Sequence, residues 1–155
     1  MIKLPKMKKE EVDDLISKQM ICRIAFKGDR YPYVVPFQYV FMNGSLYFHF
    51  TNYGKKMRLF EKDKRVCIEI ESYLNDLSEY SFVTVRGDLK IVADPQERSQ
   101  VIKRMSQEGQ QKLSREFLAV HGISKEEGWS SLNSERPLVI VKLDRIVEAV
   151  GLKSP

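Results

Sequence analysis

Apolar positions recur along the chain with two different periods. In "KKEEVDDLISKQ" Val12, Leu15 and Ile16 fall at helical spacing, with Met20 following, which predicts a short amphipathic helix. The period then changes to two. "ICRIAFK" places Cys22, Ile24 and Phe26 on one face of a strand, and "GDR" makes a turn. "YPYVVPFQYVF" predicts a second strand. Its Pro36 removes a ladder donor and so belongs at an edge or a bulge. "MNG" is a hairpin turn, and "SLYFHF" is a third strand with Leu46, Phe48 and Phe50 facing the core.

Helical spacing returns briefly in "GKKMRLFEKD", with Met57 and Phe60 inward. "RVCIEIE" then lines up Val66, Ile68 and Ile70 on a fourth strand. "YLNDLSEY" reads as polar loop and "SFVTVRGDLKIVA" as a long fifth strand. Asp94 and Pro95 suit the cap and first turn of a helix that carries Val101, Ile102 and Met105 inward. Residues 106–135 read as polar and partly helical, and "PLVIVKLDRIVEAVGL" as one or two closing strands. Consecutive strands joined by short turns predict an antiparallel sheet. About six such strands curl shut, which predicts a mainly β, six-stranded antiparallel barrel with peripheral helices. Residues 1–155 read as a single domain.

Composition narrows the classes. Hydrophobic residues make up 43% and charged residues 30%, ordinary for a globular domain. The net charge of +5 is interleaved, as in "KMKKEEVDD", and no basic arm appears, so nucleic-acid binding is not expected. No run approaches the roughly 18 apolar residues of a membrane span, and the N-terminus has no apolar signal core. A cytoplasmic protein is expected. The two cysteines, Cys22 and Cys67, are isolated, which predicts free thiols and no metal site. Cys22 falls on the core face and Cys67 on a partly exposed one. Arg86 is expected to pair with a carboxylate.

One junction carries candidate chemistry. The face of the third strand bearing Tyr47, His49 and Thr51 runs directly into "TNYGKK". Lys55, Lys56 and Arg58 crowd the first turn of the next helix, where cations cost roughly 0.3–1 kcal/mol each. Thr51 or Asn52 could cap that helix, and its free N–H groups together with Lys55 or Lys56 would suit a phosphate. A solvated lysine pair and a surface histidine are the alternatives. His121 in "LAVHGIS" reads as solvated.

The run "YPYVVPFQYVFMNGSLYFHFTNYGKKMRLFEKDKRVCIEI", the later "VTVRGDLKIV" and the terminal "LDRIVEAVGLK" together resemble the FMN-binding split β-barrel superfamily. That superfamily is typified by pyridoxamine 5′-phosphate oxidase, and the chain is closest in pattern to its nitroimidazole-resistance branch. The resemblance spans about residues 8 to 153. It implies a homodimer with FMN in clefts at the interface. Backbone around Val34, Val35, Pro36 and Phe37 would face the flavin ring. Thr51, Lys55 and Lys56 would hold the phosphate, with Asn52 close by, and His49 would sit beside the ring as the catalytic group. An unperturbed histidine pKa near about 6.5 would suit proton donation there.

The implied function is FMN-dependent oxidation or reduction of a small molecule, with NAD(P)H as a possible electron source. A non-catalytic flavin-binding module, or a haem- or deazaflavin-using relative, are the alternatives. Trp129 and Arg136 match no family motif, so the roles of the oxidase's C-terminal tryptophan and arginine are not carried over. Substrate loops are expected at 72–80 and 106–136.

Overall fold

Burial alternates with period two along Ile21–Phe26 and residues 65–70, and six strands pair edge to edge into a closed barrel. The computed structural model describes residues 3–155. In chain order the elements are α1 (Lys9–Lys18), β1 (Ile21–Phe26), β2 (Tyr33–Met42), β3 (Ser45–Phe50), α2 (Lys55–Lys62), β4 (Arg65–Tyr73), β5 (Tyr80–Ile91), α3 (Pro95–Lys112) and β6 (Val139–Lys153). Two 3₁₀ turns, Arg115–His121 and Trp129–Ser131, lie between α3 and β6. All neighbouring strand pairs are antiparallel, in the cyclic order β1-β2-β3-β6-β5-β4.

The β2–β3 hairpin shows local sequence at work. Met42 pairs with Ser45, leaving Asn43 and Gly44 as the two loop residues. Both have positive φ, 53° and 75°, as a type I′ turn requires. That turn sets the register that sends Leu46, Phe48 and Phe50 inward, where they are at most 3% exposed. They meet Cys22, Ile24 and Phe26 of β1 and Val66, Ile68 and Ile70 of β4 in one core.

A second core lies outside the barrel wall. Val40, Tyr47 and Ile140 point outward from β2, β3 and β6, and α3 covers them with Val101, Ile102 and Met105. Leu118, Ile123, Trp129 and Leu132 complete it. The segment 106–135 is therefore not a polar excursion. It carries apolar anchors, spaced irregularly because 3₁₀ and turn geometry has no amphipathic period. Tyr47 is accordingly buried rather than on a mixed surface, and its hydroxyl donates to Glu97 Oε1 at 2.8 Å. Gly109 of α3 lies directly against the Trp129 indole.

Two other expectations hold. Most of "YLNDLSEY" is loop, residues 74–79, which joins β4 to β5 where their pairing ends at Tyr73–Tyr80. The terminal segment is one 15-residue strand that pairs with both β3 and β5, its register against β5 shifting between Arg86 and Gly87 and again between Asp88 and Leu89.

Candidate functional site

The barrel wall parts at one place. β2 pairs with β1 along Tyr33–Gln38, but β3 pairs with β2 only at Tyr39–Met42. Backbone groups on a strand alternate between its two sides. Tyr39 N–H donates to Met20 C=O on the β1 side. Tyr33, Val35 and Phe37 therefore spend their backbone groups on β1, and those of Val34, Pro36 and Gln38 face the side that β3 has left. Pro36 is tolerated because its missing N–H falls on this open edge. The continued register would set Gln38 opposite His49, and here the ladder stops.

A side chain from elsewhere fills that break. His121 ends the Arg115–His121 turn and reaches between the two strands. Its Nε2 lies 2.7 Å from Gln38 Oε1, and its Nδ1 lies 3.1 Å from His49 Nδ1. Phe117 and Trp129 pack edge-on against its ring, with centroids 6.1 and 5.9 Å away. His121 is thus half-buried and bonded, not solvated as its sequence context suggested. Gln38 is 3% exposed, and its Nε2 has no partner.

The α2 N-terminus completes the cleft. Neither Thr51 nor Asn52 caps this helix. The N-cap is Gly54 at φ 91°, without a side-chain bond, and Thr51 Oγ1 donates instead to Tyr53 C=O at 2.8 Å. Glycine takes the positive φ at the cap position, which Asn52 and Thr51, two and three residues earlier, do not occupy. The first-turn N–H groups of α2 are left without a side-chain acceptor. Lys55 Nζ lies 4.2 Å from the Tyr33 ring centroid and Lys56 Nζ 4.8 Å from that of Phe37. Among the described residues neither lysine has a carboxylate within 4 Å, whereas Arg58 and Lys62 of the same helix share Asp29.

Pro36, Phe37, His49, Thr51 and Lys56 therefore line one cleft, joined by Gln38, Val120 and His121. Val34 and Asn52 stand exposed outside it, Lys55 is exposed at the helix start, and Val35 packs against the barrel core. Sequence reasoning missed Gln38 and His121. The amide was visible as the one uncharged polar residue within "YVVPFQYVF"; His121 gave no signal, since its partners lie 72 and 83 residues away.

Burial dominates the electrostatics. It pushes the pKa of both histidines down to about 4, helped by the Lys56 ammonium and, for His49, by His121. Both rings are neutral at pH 7, so the proton-donating imidazolium expected of an unperturbed histidine is not present there. Burial also lowers Lys56. Among the described residues no three His, Cys, Asp or Glu side chains gather to hold a metal, and no helix is long and apolar enough to cross a membrane.

The sequence model of the pyridoxamine 5′-phosphate oxidase family matches residues 8–121, about three quarters of the chain. The chain belongs to that family. The match runs from α1 to His121 and so spans the whole cleft. No curated protein matches the chain.

Solved structures share the family fold. An FAD-binding protein from Mesorhizobium loti superposes with a TM-score of 0.71 at 18% identity, covering 99% of this chain and 100% of that one. A candidate 5-nitroimidazole antibiotic resistance protein from Bacteroides thetaiotaomicron gives 0.70 at 18% identity, over 97% and 87%. An FAD- and haem-binding protein from Mycobacterium smegmatis gives 0.67 at 13%, over 95% and 71%. Identities this low establish the common fold alone.

Proposed function

We propose that this protein binds a flavin, as FMN, in the cleft where β2 and β3 part, and uses it to oxidise or reduce a small molecule. The observation that carries the reading is a set of unspent donors. The open β2 edge, the uncapped first turn of α2, the paired cations Lys55 and Lys56, and the buried Gln38 Nε2 converge without protein partners among the described residues. Buried or half-buried donors are normally satisfied, and a polar, phosphorylated, planar ligand would satisfy these. Similar folds that bind FAD support a flavin over other anions.

In this reading Lys55, Lys56 and Thr51 hold the phosphate, and backbone at Val34, Pro36 and Gln38 meets the ring edge. His49 lies beside it, with Phe37 in the cleft wall, Val35 packed on the barrel core behind and Asn52 exposed outside. Bound flavin supplies hydride and single-electron chemistry at its ring. The chain's own residues bind, orient and keep water out. The cavity is about 20 Å³ within one chain, far below the roughly 300–1,000 Å³ of a small-molecule site. A second copy of the chain would therefore supply the other wall, making the protein a homodimer. Trp129 is packed in the second core, and Arg136 donates from Nε to Ser131 C=O at 2.7 Å and pairs with Glu127. Neither lines the cleft within one chain, the Trp129 ring lying behind His121, and on that ground we favour a small-molecule reductase, with NAD(P)H as donor, over the oxidase reaction.

Release of the cofactor tests the reading. Purified protein should absorb in the flavin bands and yield FMN by mass on denaturation, and NAD(P)H should bleach it anaerobically. FAD would keep the flavin reading and overturn the mononucleotide one. A colourless protein that takes up no added flavin would end both.

A further inference from the structure

The contact between the two histidines constrains where their protons sit. Nδ1 of His49 and Nδ1 of His121 are 3.1 Å apart, and the rings are inclined by only 27°. Two bare nitrogens at that distance would repel, and two N–H groups would clash, so one must donate and the other accept. The other nitrogen of His121 settles which. With the Gln38 amide oxygen 2.7 Å from Nε2, His121 carries its proton on Nε2 and leaves Nδ1 bare. His49 must then carry its proton on Nδ1. Its Nε2 has no protein partner among the described residues and is not sealed from solvent.

We infer that His121 is a positioning residue that fixes His49 in the Nδ1–H tautomer, so that His49 meets the cleft with a bare Nε2 that accepts a hydrogen bond. The chain Gln38–His121–His49 spans the split between β2 and β3. It converts the orientation of one buried amide into the polarity of the cleft. The hydrogen-bond partner on the far side of a histidine ring is what selects its tautomer. Lys56 on α2 is the charged group facing the pair. It disfavours a second proton and so preserves the one-proton arrangement. The Phe117 and Trp129 rings packed against His121 carry no lone-pair acceptor to compete for its proton. The inference does not depend on which cofactor occupies the cleft, and its failure would leave the flavin reading standing.

Long-range ¹H–¹⁵N correlation spectra of the full chain, labelled at histidine and recorded at pH 7, test this directly. The expected pattern is His49 as the Nδ1–H form and His121 as the Nε2–H form. His121→Phe keeps an aromatic ring in the second core but removes both nitrogens. It should release His49 into a mixture of tautomers and move its titration toward the ordinary value of about 6.5. His121→Asn, whose amide oxygen can accept from His49 Nδ1, should restore the single Nδ1–H form. Gln38→Leu should mix the tautomers of both rings, and serves if the Phe variant does not fold. A wild-type His49 protonated on Nε2 would overturn the inference. So would a His49 that keeps an unmixed Nδ1–H form in both His121→Phe and Gln38→Leu.

Discussion

Gly109→Ala should destabilise this protein, although the same change in most helix interiors stabilises by roughly 0.5–1 kcal/mol. Gly109 lies in the last turns of α3, beneath the indole of Trp129. A Cβ placed there would sit 2.3 Å from Cζ3, 2.4 Å from Cε3 and 2.7 Å from Cη2 of that ring, where ordinary contact begins at 3.4 Å. The indole must retreat by about 1 Å, and it has nowhere free to go. It is 4% exposed, its backbone carbonyl accepts from Ser106 Oγ at 2.6 Å, and the His121 ring stands beside it. Overpacking of this kind costs roughly 1–3 kcal/mol, which exceeds the helix gain. We expect a net loss of about 1–2 kcal/mol. At about 2–4 °C per kcal/mol for a chain of this size, the melting temperature should fall by roughly 2–8 °C. Trp129 is the only tryptophan, so its fluorescence during thermal unfolding reads the disturbed contact itself. Gln110→Ala, on the exposed side of the same turn, is the control and should stay within about 0.5 kcal/mol. A Gly109→Ala protein as stable as wild type would refute the close packing of α3 on the second core.

Four other outcomes are expected. Replacing Lys55 and Lys56 together by Ala should remove charge-assisted bonds worth roughly 1.5–3 kcal/mol each; FMN affinity should drop tens-fold or more with riboflavin little changed, and equal weakening of both would reject the phosphate assignment. Acid should destabilise the fold through His49 and His121, whose folded pKa of about 4 lies below the unfolded value near about 6.5. The unfolded chain then takes up protons first. Stability should be intact above about pH 6.5 and fall by up to about 1.4 kcal/mol per pH unit per histidine down to pH 4, as read by urea titration. A His49→Phe/His121→Phe protein with the same slope would show that other groups cause it. Native protein should show one thiol reactive to an aromatic disulfide reagent, Cys67, since Cys22 is 1% exposed and Cys67 only half-buried, although burial raises the pKa of both; prompt reaction of both would contradict the packing of β1. Sedimentation of flavin-loaded protein at the mass of a single chain would remove the shared-cleft proposal.

The barrel interior was readable because a strand's two faces are written in alternate letters. Cys22, Ile24 and Phe26, then Leu46, Phe48 and Phe50, then Val66, Ile68 and Ile70, are all buried as their spacing predicts. What covers the outside was not readable. Tyr47 and His49 alternate with core residues and so pass for surface, yet the layer over them begins about 50 residues later. Leu118, Ile123, Trp129 and Leu132 in that layer follow no helical or strand period, so no window reveals them as a set. His121 was hidden for the same reason. The α2 cap was misjudged because Thr51 and Asn52 have the right chemistry at the wrong backbone position, while Gly54 holds the position with no side chain at all. Family resemblance, rather than periodicity, connected the residues of the cleft.

The long strand β6 has a consequence for how the chain reaches its native state. Without it, the other five strands form an open sheet in the order β3-β2-β1-β4-β5, with bare hydrogen-bonding edges on β3 and β5. β6 comes last in sequence and must seal both, joining Ile140 to His49 across 91 residues (140 − 49). Contacts of such separation slow folding, because the closing entropy is lost before the strand pairs form. The five-stranded species is thus expected to persist long enough to matter, and its two open edges are templates for association with other chains. Conditions or substitutions that weaken β6, even at positions remote from the cleft, should show first as aggregation during refolding and only later as loss of equilibrium stability.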